Sequence, residues 1–256
     1  MPRSRMFGEV SLVSQVVRDS RTIASLLRPS RRGGSLAARL NGFYGAQAQD
    51  YDRFRAGLLH GRQELLDRLP VSDGDVWIDF GGGTGSNLEL LGRRLHRLRR
   101  VYLVDLAAPL LDVARVRATR AGWTNVSLVE ADAATVDLPD GVASVVLFSY
   151  SLTMMPDWFL ALETARRLLA PGGTIGVVDF YVSRKHANPL RQHRSATRWF
   201  WPWWFAHCDV FPNPDHVPYL KTRFAPTLLD ELTGPVPYLP WARVPYYRFI
   251  GRQSAD

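Results

Sequence analysis

The stretch Val76-Trp77-Ile78-Asp79-Phe80-Gly81-Gly82-Gly83-Thr84-Gly85-Ser86-Asn87 limits what this chain can fold into more than any other. Its first residues read as a buried strand, the glycines turn the chain sharply, and Leu88, Leu91 and Leu95 continue at helical spacing. Strand, glycine loop and helix in that order form a nucleotide-binding corner, because glycine lets the backbone approach a ligand closely. A dinucleotide fingerprint needs G-x-G-x-x-G, but Ser86 stands where its third glycine would be. The spacing is instead Asp79-x-Gly81-x-Gly83-x-Gly85.

That spacing resembles motif I of class I S-adenosylmethionine (SAM) methyltransferases. The resemblance implies that the glycines pass close to the methionine and ribose of the cofactor. Downstream, Val101 to Asp105 reads as a second buried strand ending in an acid. An acid about twenty residues beyond the glycines can accept hydrogen bonds from both ribose hydroxyls. Pro109 to Arg120 follows as a helix and Val126 to Asp132 as a third strand. Asp132 stands where many methyltransferases bind the adenine amino group. Val142 to Phe148 reads as a fourth strand, Pro156 to Leu169 as a helix, and Pro171-Gly172-Gly173 as the turn into a fifth strand, Thr174 to Phe180. Strands alternating with helices at these lengths predict an α/β fold with a parallel sheet covered on both faces. The last two strands are expected as a hairpin running from Pro235 through Val244 to Ile250.

Composition sets the limits. At 256 residues, 46% hydrophobic and 22% charged, the chain is long and apolar enough for one large domain. No run approaches the ~18 apolar residues of a membrane span. The single Cys208 forms no internal disulfide, which points to the cytoplasm. The net charge of +8 suggests an anionic partner, either nucleic acid or a membrane surface. Residues 1–35 form an Arg-rich extension, with Val13, Val16, Val17, Ala24 and Leu27 on one helical face, as an amphipathic helix on anionic lipid would have. A partly ordered tail packing on the domain fits the same residues. Residues 36–256 are expected to form the methyltransferase domain, with 184–233 a substrate- or membrane-facing insertion.

Further blocks are similar to a narrower family. They are Phe43-Tyr44, Tyr51-Asp52, Leu59-His60-Gly61-Arg62, Phe148 to Pro156, Val177 to Ser183, Trp199 to Phe205, Asp215 to Leu220 and Pro245-Tyr246-Tyr247. Together they resemble the N-methyltransferase of betaine-lipid synthesis, which methylates diacylglyceryl-homoserine three times to diacylglyceryl-trimethylhomoserine. The likeness runs from about Phe43 to Gly251 and leaves out the Arg-rich extension. It implies a Rossmann-like fold with a mostly parallel seven-stranded sheet and an antiparallel C-terminal hairpin. SAM is the implied methyl donor, bound by Asp79, Gly81, Gly83, Gly85, Asp105, Leu106, Asp132, Ala133 and Ser149, with Tyr44 and Tyr51 closing over its methionine end. His60, Arg62, Tyr181 and Tyr219 are candidate substrate contacts, and Tyr150, Asp179 and His216 candidate proton acceptors. The implied partners are a lipid amine at the inner face of a membrane and a separate diacylglycerol aminocarboxypropyl transferase, in a peripheral, cytoplasmic enzyme.

Nucleic acid is not the expected partner. Base-methylating enzymes carry an Asn/Asp-Pro-Pro-aromatic block after the fourth strand, where this chain has Phe148-Ser149-Tyr150-Ser151. No Cys/His/Asp grouping has metal spacing. Two other readings stay open: a SAM methyltransferase for another amine such as phosphatidylethanolamine, and a non-catalytic SAM-fold scaffold at the membrane. The run Trp199 to Phe205 holds four of the eight tryptophans behind Arg184, Lys185, Arg191, Arg194 and Arg198, which suits headgroup level in a bilayer. Pro202 within it predicts a bent loop or short helix rather than one regular helix.

Overall fold

The computed structural model describes residues 37–38, 41–42, 57–187, 191–207, 209–237 and 239–253. The Arg-rich extension, Tyr44, Tyr51 and Cys208 lie outside them. From residue 57 onward the chain opens on α1 (Arg62–Arg68) and enters β1 (Val76–Phe80), whose five residues are all buried. Such unbroken burial belongs to a strand covered on both faces. Then follow α2 (Ser86–Leu91), a 3-10 turn (Gly92–Arg97), β2 (Arg100–Asp105), α3 (Ala108–Ala121), β3 (Val126–Glu130) and β4 (Ala143–Ser149). After a short 3-10 turn (Leu152–Met154) come α4 (Trp158–Leu168), β5 (Leu169–Phe180), α5 (Ser195–Ala206), α6 (His216–Arg223), β6 (Ala225–Val236) and β7 (Leu239–Arg252).

The seven strands form one sheet in the order β3-β2-β1-β4-β5-β7-β6. The first five are parallel, and β7 runs antiparallel to both β5 and β6. This is the Rossmann-like arrangement that the sequence predicted. Leucines of α1 and α2, Leu111 and Ala114 of α3, and Trp201 and Phe205 of α5 pack on one face. Ala161 to Leu168 of α4 and Val217 and Leu220 of α6 pack on the other. Strand order reverses between β1 and β4, the switch point outside which open α/β sheets bind ligands. No helix among the described residues is long and apolar enough to cross a membrane.

Two expectations fail. The hairpin begins at Ala225, not Pro235, so β6 takes up the end of the expected 184–233 insertion and the segment between β5 and β6 is 181–224. Pro226 and Pro235 hid this strand; β6 lies at the sheet edge, where a missing N–H is tolerated. The tryptophan run is one helix, α5, with Pro202 inside it. A proline there forfeits a hydrogen bond and costs about 3 kcal/mol. Burial of Trp201 and Phe205, only 6% and 5% exposed, offsets that cost by a similar amount.

Candidate active site

The residues after β1, β2, β3 and β4 converge on a cleft enclosing about 860 Å3, its open mouth included. Gly81, Gly83, Asp105, Leu106, Asp132, Ala133, Ser149 and Tyr150 line it, as do Leu59, Arg62, Met154 and Met155. The glycine loop is bound to the end of β2: the Gly81 and Gly82 amides donate to the Val104 carbonyl at 2.8 and 3.3 Å. Gly81 has φ +66°, and a Cβ there would overlap the Cβ of Ser151, so only glycine fits. Asp105 completes the corner. Its Oδ2 accepts from the Gly83 amide and its Oδ1 from the Ala107 amide, both at 2.8 Å. Asp132 accepts from the Ala134 amide at 2.9 Å.

Asp79 and Gly85 do not border the cleft but build the floor beneath it. The Asp79 carboxylate is buried and receives the Asn87 side-chain amide on both oxygens, at 3.1 and 3.0 Å. Asn87 in turn accepts from Arg62 (Nη2 2.7 Å, Nε 3.1 Å), and Arg62 also donates to Ser86 Oγ at 2.6 Å. Arg62, expected at the substrate, therefore stands on the cofactor loop. Burial pushes the Asp79 pKa up to about 7, against the opposing pull of the Asn87 hydrogen bond and the Arg62 charge. Unfolded, the group ionises near pH ~3.9. Between that pH and about 7 the unfolded chain has lost this proton and the folded chain has kept it, so Asp79 lowers stability as pH rises through the window. Asp79→Asn is expected to remove that slope: melts of the ligand-free proteins should show wild type losing ground to the variant from pH 4 to pH 7. Parallel curves would show that Asp79 does not titrate there.

Tyr150 is held in an uncommon backbone state, φ +56°, by three contacts. Its amide donates to Val178 O at 2.7 Å, its hydroxyl donates to His60 O at 2.7 Å, and its ring packs on Phe180 with centroids 4.6 Å apart. His60 is a structural partner in this clamp, its Nε2 lying 2.8 Å from the Pro235 carbonyl.

The other sequence candidates are not at the cleft. Asp179 is fully buried and accepts from the Thr153 hydroxyl (2.7 Å), the Thr153 amide (3.2 Å) and the Phe180 amide (2.8 Å). It anchors the turn that carries Met154 and Met155, so it shapes the cleft without bordering it. His216 is fully buried against Trp158, without hydrogen-bond partners among the described residues, and burial alone lowers its pKa to about 3. Tyr181 donates to Glu231 at 2.8 Å and Tyr219 to Glu163 at 2.9 Å. Among the described residues no group of His, Cys, Asp and Glu has the arrangement of a metal site.

The cleft fits SAM on its own chemistry. Two carboxylates face it at the ends of successive strands, as the ribose and adenine donors need, and the buried Ser149 Oγ has no hydrogen-bond partner among the described residues. Leu110, Met154 and Met155 supply apolar walls.

Comparison with known proteins agrees. Residues 78–177 match the Methyltransf_11 family, a methyltransferase domain. The chain is 30% identical over 211 residues to the 2-phytyl-1,4-naphtoquinone methyltransferase of Thermosynechococcus vestitus, covering 78% of this chain and 89% of that protein. It is 34% identical over 127 residues to the arsenite methyltransferase of Aquipseudomonas alcaligenes, covering 47% of this chain but only 37% of that protein. In fold it is similar to the phosphoethanolamine N-methyltransferase 2 of Haemonchus contortus in complex with SAM, with a TM-score of 0.68 at 13% identity over 88% of this chain and 61% of that one. With the motif I corner, the acids ending β2 and β3 and the seven-stranded sheet, these matches make the chain a member of the class I SAM-dependent methyltransferases.

Proposed function

We propose that this methyltransferase acts on a lipid amine, trimethylating diacylglyceryl-homoserine to diacylglyceryl-trimethylhomoserine. One observation carries the lipid reading. Phe180, at the end of β5, packs on Tyr150 at the cleft and on Phe205 of α5, with 4.6 Å between centroids in each pair. The helix joined to Tyr150 through Phe180 is thus the one whose outer face shows Trp199 and Trp203, 70% and 51% exposed and stacked on each other. Rings of that kind at headgroup level would bring a bilayer-borne acceptor to the methyl donor. Of the blocks that resemble betaine-lipid methyltransferases, Phe148 to Pro156 lends Ser149, Tyr150, Ser151, Met154 and Met155 to the cleft wall, and Val177 to Ser183 stands behind it through Phe180; that resemblance supports the homoserine headgroup.

SAM supplies an already activated methyl group, so alignment is the protein's main contribution and can be worth ~7–11 kcal/mol. Asp105 and Asp132 would orient the nucleoside, and Met154, Met155 and Leu59 would exclude water from the transfer path. Of the three candidate proton acceptors only Tyr150 borders the cleft, and its ring face would favour the increasingly methylated cation. The T. vestitus match favours a second reading, methylation of a membrane quinone. Co-expression with a diacylglycerol aminocarboxypropyl transferase, followed by lipid mass spectrometry, separates the two. Mono-, di- and trimethylated homoserine lipids are expected. Unmethylated diacylglyceryl-homoserine, with a methylated quinone appearing instead, would replace the amine reading with the quinone one.

A further inference from the structure

The glycine loop is held from behind by α3 as well as from within the β1–β2 corner. Leu110, Ala114 and Arg117 follow one another at i, i+4 and i+7, so they share one stripe of that helix. The stripe faces the loop: a Cβ at Gly83 would meet Leu110 at 3.6 Å, and one at Gly85 would meet Ala114 at 3.7 Å. One turn further on, Arg117 Nη1 donates to the Thr84 carbonyl at 2.7 Å and to the Thr84 hydroxyl at 3.1 Å. Its Nε pairs with Glu89 Oε1 of α2 at 2.9 Å. Thr84 is buried and borders the cleft, whereas Arg117 does not border it.

These contacts fix both ends of one peptide unit. The Gly85 amide donates to the Gly82 carbonyl at 3.0 Å, and the Thr84 carbonyl of the same unit receives the guanidinium. Gly85 has φ +77°, and without a Cβ it resists rotation of that unit very little. The other loop amides are bound inside the corner, Gly81 and Gly82 to Val104 O and Gly83 to Asp105. Arg117 adds the contact from α3 that stops the Thr84–Gly85 unit from turning, and Glu89 sets the orientation of the guanidinium. A hydrogen bond from a charged donor to a buried carbonyl is among the stronger ones available.

We propose that Arg117 is a positioning residue for SAM: it holds the Thr84–Gly85 peptide in its binding orientation before the cofactor arrives. This goes beyond the acceptor reading above, because it concerns the cofactor cleft whichever acceptor is methylated. Without the guanidinium the loop spends only a fraction of its time competent to bind, and the apparent dissociation constant rises by the inverse of that fraction. The loss falls on association, since SAM itself holds the loop once bound.

The test uses the full chain with no acceptor present. Arg117→Met keeps an unbranched side chain and removes the guanidinium, and Arg117→Lys keeps the charge but has one nitrogen to serve both Thr84 and Glu89. Arg115→Gln, which removes an exposed ion pair with Asp112 on the same helix, is the control. Titration should show SAM affinity falling about tenfold or more in Arg117→Met, less in Arg117→Lys and not at all in Arg115→Gln. Stopped-flow binding should place the loss in the association rate. In the ligand-free protein, amide hydrogen exchange at Gly85, followed by NMR, should quicken in the same order. A purely structural role would lower the melting temperature and the fraction of protein able to bind while affinity and Gly85 exchange in the folded fraction stayed at wild type, and that outcome overturns the proposal. So does a loss confined to the dissociation rate, or an equal loss in Arg115→Gln. If Arg117→Met unfolds, Arg117→Lys decides, and wild-type affinity with wild-type exchange in that variant overturns the proposal. Every readout is cofactor binding or ligand-free exchange, so failure of the acceptor reading would appear separately, in the lipid products.

Discussion

Asp105→Ala is expected to weaken SAM binding about a hundredfold or more while the protein stays folded. In the ligand-free protein the carboxylate holds the Gly83 amide of the cofactor loop and the Ala107 amide ahead of α3. With SAM present it would also receive the ribose hydroxyls. Each hydrogen bond to a charged acceptor contributes ~1.5–3 kcal/mol, and losing two places the dissociation constant in that range. The strand itself should survive, because Val101, Leu103 and Val104 supply its buried contacts. Asp105→Asn keeps the shape but turns an N–H₂ toward one of the two amides, so it should recover little of the affinity. Calorimetric titration checks both variants, and an unchanged dissociation constant in a folded Asp105→Ala protein would remove the residue from the site.

The second large effect separates the two faces of α5. Trp201 and Phe205 are buried in the core beside Phe180, so truncating either to alanine should cost about 3–5 kcal/mol of stability. Trp199, Trp203 and Trp204 point outward, and replacing Trp203 and Trp204 together should leave the melting temperature nearly unchanged. The pair should instead cut methyl transfer to lipid in vesicles by about tenfold or more, at roughly 1–2 kcal/mol for each ring that no longer enters the interface. Turnover of a short-chain, water-soluble homoserine ether should fall far less. A double variant that unfolds would make these rings core residues, and equal losses on both substrates would make them part of the acceptor pocket.

The parallel half of the sheet was legible because its strands are continuous apolar runs ended by glycines and acids. The same continuity hid which side each residue faces. Asp179 and Tyr181 lie on the face of β5 that packs on α4 and α6, whereas Phe180 between them turns toward Tyr150. A run buried on both faces carries no alternation from which that parity can be read, so acids and aromatics near the strand end looked equally suited to catalysis. His216 misled for a related reason: an imidazole in a polar-looking helix start proved to be a buried ring against Trp158. Arg62, expected at the substrate, borders the cleft and also holds Ser86 and Asn87 of the cofactor loop, a second role that only the fold shows. Sequence placed Asp105, Asp132, Gly81 and Gly83 at the cleft because strand–loop–helix spacing alone determines where those residues stand.

The position of β7 has a consequence for the order in which the sheet can be made. It is the last of the seven strands in the sequence, yet it lies inside the sheet, flanked by β5 and β6. As the chain leaves the ribosome, β1 to β5 can pair as soon as each emerges, but β6 has no neighbour until β7 follows it out. Until then β5 presents a bare apolar edge, with Val177 and Val178 awaiting Phe249 and Arg248. Chains exposed only as far as residues 236–239 should therefore recruit chaperones and aggregate, whereas release of the fourteen residues of β7 closes the sheet in one step.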